Sequence, residues 1–248
     1  MNRLIRTELL KQRTLRVFVF GVCLAPIVAA LVTIAVLAGA GHQDNPPLGS
    51  ASLVLAMGAP ASAITLVALL LGVLGTAGEH RHQTITTTFL ATPRRRQVIQ
   101  SKLLSHAFTG ALMGALALAA SLAISVPWLL ANEIDITFDA RLARVAAGIV
   151  ASTALHGALG VSVGALVRNQ TAACATVLIW VLAVEGLIGD IFNGWGFLQW
   201  LPVAAAQSIV RSDSSDGLPV ALGIVVFATY SALFGLAATR TTLQRDVT

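Results

Sequence analysis

The chain has 248 residues, of which 56% are apolar and 11% charged, with a mean hydropathy of +0.82 and a net charge of +5. A water-soluble domain carries about 25% charged residues, so this composition excludes an ordinary soluble surface. The small basic excess follows from where Lys and Arg sit along the chain and does not call for a nucleic-acid partner.

The first sixteen residues are mostly polar and hold Arg3, Arg6, Lys11, Arg13 and Arg16. An apolar block, Val17–Ala40, follows; it is long enough to span a membrane and reads as a retained helix, not a cleaved leader. Further blocks run over Leu53–Ala77, Leu103–Leu130, Val145–Val167, Thr171–Gly189 and Leu218–Thr239. Each has about the length that crosses a ~30 Å hydrocarbon core as a helix. Strands of a membrane barrel alternate every second residue, and these blocks do not. Helices are then what satisfies the backbone in lipid. The expected fold is all-α: one polytopic transmembrane domain over 1–248, in contact with the lipid bilayer through six helices. Cys23 and Cys174 each fall inside an apolar block, with no metal spacing and no disulfide framework.

Lys and Arg set the orientation. Arg81, Arg94, Arg95, Arg96 and Lys102 lie in the second connection, Arg168 in the fourth, and Arg240 and Arg245 in the tail 240–248, on the same side as the N-terminal five. The other side receives Arg141, Arg144 and Arg211. The positive-inside rule places both termini in the cytoplasm of a cell-membrane protein. Trp128, Trp195 and Trp200 fall at the opposite, outer boundary, as an aromatic belt would, while Trp180 reads as a packing residue.

The second connection, 78–102, is far longer than a tight inter-helix turn. Ile85, Phe89 and Thr92 recur at helical spacing ahead of Pro93, which ends the pattern. A short amphipathic helix on the membrane face or in a partner's groove and a solvated basic loop both fit these residues.

The order Glu79-x-Arg81-x-x-Thr84, Leu90-Ala91-Thr92-Pro93-x-x-Arg96 and Lys102-Leu103-Leu104 resembles the coupling segment of the ABC-2 family of ATP-binding-cassette permeases. Arg6-x-Glu8-x-x-Lys11 with Arg16 is similar to the family's N-terminal segment. Gly164 to Ala173, through Arg168-Asn169-Gln170, is similar to its connection between spans four and five. One departure stands out: the family has glycine where this chain has Gln83. The resemblance implies an exporter permease that pairs with a second permease subunit, identical or not. It also implies a cytoplasmic ABC ATPase that carries the ATP and Mg, with no cofactor on this chain. Glu79 and Arg81 would anchor the end of span two, and the stretch Thr84, Ile85, Phe89, Thr92, Pro93, with Arg96 beyond it, would couple to the ATPase. A P-loop needs Gly-Lys-Ser/Thr, whereas Lys11 and Lys102 follow Leu10 and Ser101. The chain is thus expected to be a transport subunit and not itself an enzyme.

The segment 190–217 is apolar at its start, and the family carries short helices here that dip into the outer leaflet. Trp195, Trp200 and Pro202 are candidates for an outer gate. Glu185, the one acid placed within a span, is either a lining residue of the substrate path or an interfacial one. His106 and His156 lie singly on apolar helices and read as hydrogen-bonded packing residues. Gly157, Gly160 and Gly164 form a small-residue face for close helix approach. The pathway blocks, rich in Ala, Leu, Val and Gly, suit an apolar or amphiphilic cargo such as a drug, lipid or lipidated peptide. An ATPase-independent carrier or channel is the alternative. A membrane-embedded enzyme would need a reactive constellation at one depth, which the scattered histidines do not supply.

Overall fold

The computed structural model describes residues 2–40, 42, 48–49, 52–84, 88, 90, 92, 95–136, 139–192, 194–210 and 218–244. These residues contain helices and connections and no strand. A polar helix, α1 (Asn2–Thr14), leads into α2 (Arg16–Ala38). The second span is made of α3 (Ser52–Gly58) and α4 (Ala61–Arg81), and the third is α5 (Arg95–Ala131). The fourth is α6 (Ala140–Val167). The fifth joins α7 (Gln170–Ile179), a π-helical turn (Trp180–Val184) and α8 (Glu185–Ile191). A short 3-10 turn (Leu198–Trp200) and α9 (Pro202–Val210) precede the sixth span, α10 (Val220–Gln244). Among the described residues six helices are long and apolar enough to cross a membrane, so the chain is a multi-pass membrane protein.

At the centre is α6, which packs against α4, α5, α9 and α10. Of its most apolar stretch 61% is buried, against 17% for the fifth span, which lies at the periphery. Small residues make this possible. A β-carbon on Gly160 would lie 2.0 Å from the Leu69 carbonyl oxygen of α4, and one on Gly157 would lie 2.5 Å from the His106 carbonyl oxygen of α5. Backbones that meet this closely replace side-chain interdigitation with direct backbone contact. The small-residue face read from the sequence therefore serves two neighbours at once.

Two spans depart from regular helix. Pro60 has no N–H to give to the Ala56 carbonyl, and its ring would crowd that carbonyl. The second span accordingly breaks at Ala59–Pro60. The Thr33 hydroxyl of α2 lies 3.2 Å from the Ala56 oxygen and takes the place of the missing donor. In the fifth span the Glu185 N–H bonds to the Trp180 carbonyl, an i→i+5 closure that widens the helix.

The helices also extend further than the apolar blocks do. With α4 reaching Arg81 and α5 starting at Arg95, the residues between helices two and three shrink from the expected 78–102 to 82–94. At 1.5 Å per residue the 37 residues of α5 reach about 55 Å, well beyond the hydrocarbon core.

Candidate functional site

The end of the bundle that carries α1, the 82–94 connection and the α6–α7 corner is its basic end. Here α1 lies against α5 with two polar residues turned inward: Glu8 and Gln12 are buried, while Leu10 and the arginines Arg3, Arg6 and Arg13 are exposed. The reason that a carboxylate and an amide are buried here is on α5. Lys102, a turn or two into α5, is only 1% exposed, and a buried ammonium requires anionic partners. Its Nζ lies 2.9 Å from Glu8 Oε2 and 2.8 Å from Glu79 Oε1 at the end of α4. Lys11 repeats the pattern from α1, 2.9 Å from Glu8 Oε1 and 3.0 Å from Glu79 Oε1. Two lysines and two glutamates thus form a closed lattice that ties α1, α4 and α5 together.

The charges perturb one another. Burial acts to raise the Glu8 carboxyl, but Lys102 and Lys11 outweigh it and hold the group below its ordinary 4.5. Burial acts to lower Lys11, but Glu8 and Glu79 outweigh it and hold that ammonium above its ordinary 10.5. In both cases the charged form is the one the fold favours. Glu79 Oε2 is buried with no hydrogen-bond partner among the described residues, which makes Glu79 the least completely satisfied member.

A second polar layer follows toward the bundle centre. The Gln12 side-chain nitrogen lies 3.1 Å from His106 Nδ1 and 3.4 Å from Ser105 Oγ, and Thr109 donates to the Gln12 oxygen. Phe18 meets the His106 ring edge-on at 5.5 Å. Position 75 must be glycine for this ring to fit, since a β-carbon there would lie 2.1 Å from His106 Nε2. His106 is thus a packed, hydrogen-bonded histidine, as the sequence reading has it.

Outside the lattice lies the strip expected to couple to a partner. Arg81 is exposed and reaches the Gln170 side-chain oxygen at 3.4 Å, joining the strip to the α6–α7 corner. Thr84 and Thr88 are linked by an i,i+4 bond of 3.2 Å, and the Thr92 N–H bonds to the Thr88 carbonyl at 3.0 Å. Leu90 is 78% exposed, and Arg96 is exposed on the first turn of α5. Ile85, Phe89 and Pro93 lie outside the described residues. Gln83 takes φ +56°, the left-handed conformation one residue past the cap of α4 that glycine favours. A cavity of about 580 Å³ separates the strip from the α1–α2 junction, with Lys11, Phe18, Glu79, Thr84 and Thr88 among its walls.

The opposite end holds the remaining candidates. Glu185 is buried, and three N–H groups converge on its carboxylate: Trp180 Nε1 at 3.0 Å, Val203 N at 3.0 Å and Ala204 N at 2.8 Å. The last two are unsatisfied donors of the first turn of α9, and Glu185 caps that helix from a different span. A carboxylate at a helix N-terminus is favoured by both the free N–H groups and the helix dipole. Pro202, first residue of α9, sits where a missing N–H costs nothing. Trp180, expected as packing, is 37% exposed and serves as a donor to this cap. Trp195 is 62% and Trp200 45% exposed. Trp195 stacks edge-on with Phe192 and Phe197, and the Trp200 carbonyl accepts from Tyr230 Oη at 3.1 Å.

The structure thus unites Glu79 with Glu8, Lys11 and Lys102, leaves Arg81, Thr84 and Arg96 on the surface, and puts Glu185 with Pro202 at the other end. Sequence reasoning missed Gln12 and the burial of Lys102. The available signal was the i,i+3 spacing of Glu8 and Lys11 on a helix otherwise rich in arginine. In comparison with known proteins, no family model matches the chain and no curated protein matches it in sequence.

Proposed function

We propose that the chain is the permease subunit of an ATP-binding-cassette exporter of the ABC-2 kind. In this reading it works in the cell membrane with both termini in the cytoplasm, pairs with a second permease subunit and is driven by a separate ATPase that carries ATP and Mg. The cargo is an apolar or amphiphilic molecule. The observation that carries the reading is the Glu8–Lys11–Glu79–Lys102 lattice, which ties α1 to the ends of α4 and α5 between which the 82–94 strip runs. A partner that pushes on the strip would displace the ends of α4 and α5. Separating buried ion pairs costs several kcal/mol, so the displacement is passed to α1, α4 and α5 as a unit instead of being absorbed locally. In this mechanism Arg81, Thr84, Leu90 and Arg96 face the ATPase, and Glu79 acts from inside as the anchor. Trp195, Trp200 and Pro202 border the outer mouth next to α9 and would gate it.

Purification of the tagged chain in mild detergent tests this. A P-loop ATPase should co-purify, and Leu90→Glu, a change on an exposed position, should release it without lowering thermal stability. The broken span at Ala59–Pro60 is a feature shared with ATPase-independent carriers. Transport by the chain alone in proteoliposomes lacking nucleotide would establish that second reading and end the first.

A further inference from the structure

Two irregular elements and the short helix α9 converge on one cavity of about 400 Å³. The break of the second span contributes Ala59 and Thr65, the π turn contributes Val181, and α9 contributes Gln207, while Ser152 and His156 of α6 form the back wall. A volume of this order is typical of small-molecule pockets, about 300–1,000 Å³. Broken helices and π turns concentrate at binding sites because they turn the backbone away from regular packing. Among the described residues the lining is apolar apart from hydroxyl, amide and imidazole groups and includes no Asp, Glu, Lys or Arg. A charged guest would have no counter-charge there, and an unpaired charge in an apolar site is strongly disfavoured.

His156 supplies the polar specificity. Its Nδ1 lies 2.7 Å from the Ser152 carbonyl oxygen. A carbonyl only accepts, so Nδ1 carries the proton, and Nε2 of the neutral ring keeps its lone pair. The Phe227 ring stacks at 4.5 Å and fixes the imidazole plane. α9, which forms one wall, is held in turn by the Glu185 cap at Val203 and Ala204.

We propose that this cavity binds an uncharged, mostly apolar molecule bearing a single N–H or O–H donor, which His156 Nε2 accepts, with Glu185 as a positioning residue for the α9 wall. This narrows the cargo class of the transport reading and rests on it for physiological meaning, though binding itself needs neither ATP nor a partner. A ligand without a donor would leave the imidazole acceptor unpaired, which is the basis for discrimination.

Carbazole and dibenzofuran provide the test, since they share shape and differ by N–H against O. The full chain in phosphatidylcholine nanodiscs should bind radiolabelled carbazole saturably, above the linear partitioning into empty discs. Dibenzofuran should displace it with about tenfold lower affinity. His156→Phe should keep saturable binding and bring the two affinities together. Ser62→Trp, a bulky change at an exposed position lining the cavity, should abolish saturable binding with unchanged thermal stability. Only linear partitioning by the wild type, unaltered binding by Ser62→Trp, or a preference for carbazole that survives His156→Phe would each overturn the proposal. Saturable binding by a chain that recruits no ATPase would refute the exporter reading and leave the cavity assignment standing; a bound ATPase with linear partitioning does the reverse.

Discussion

The two ends of the bundle both bury carboxylates and neutralise them by different means. At the basic end Glu8 and Glu79 meet two ammonium groups in a lattice that joins three helices. At the far end Glu185 meets N–H dipoles from one indole and the first turn of α9. A lattice of full charges is stiff, because removing any member strands its partners in a poorly solvated place. A capped helix terminus is a softer tie. Its donors carry only partial charge, and they sit next to a π turn and a cavity. In the transport mechanism proposed above, the stiff end suits transmission of force and the soft end suits a wall that moves.

Removing the central cation should have the largest effect. Lys102→Met leaves the buried Glu8 and the half-buried Glu79 sharing Lys11 and should lower stability by about 3–5 kcal/mol, read as the unfolding midpoint in mixed detergent. Adding Glu79→Gln should recover part of that loss, because the two side chains interact directly. A loss under about 1 kcal/mol, the range of surface pairs, would show that the lattice is solvated and not stiff.

At the far end Glu185→Ala should cost less, about 1–3 kcal/mol for the donors left unpaired. It should also accelerate hydrogen exchange at Val203 and Ala204 more than at the α4–α6 contact. Uniform acceleration across the bundle would mean that α9 is no softer than the rest. Gln83→Gly should have the smallest effect, a gain of about 1 kcal/mol from relief of the left-handed backbone at the basic end. A loss on that substitution would show that the Gln83 side chain contributes more than its backbone strain costs.

Much of the fold was legible because it follows from local pattern. Blocks of apolar residues, their lengths and the absence of two-residue alternation lead to six helices without reference to any contact. Gly157, Gly160 and Gly164 could likewise be read as a packing face, although not that the face serves both α4 and α5. The candidate site was less legible. Lys102 reads as one more cation of a polar connection, and its approach to Glu8, 94 positions away, and to Glu79 explains why it is buried. Glu185 could be placed near an interface, but two of its three partners are backbone groups 18 and 19 positions on, which carry no sequence signature. Pro60 was visible as a proline, yet the break it makes became tolerable only because Thr33 satisfies the freed carbonyl.

The amino-acid sequence by itself determined that the chain is all-α and built to cross a membrane six times, because hydrocarbon admits only self-satisfied backbone and the apolar blocks have the length to provide it. Which charges are buried, which helices are tied to one another and where a cavity opens were decided only by the tertiary structure. Each depends on a polar group finding its partner across a long separation in the chain, and that pairing energy is set by distance in space and not by position in sequence.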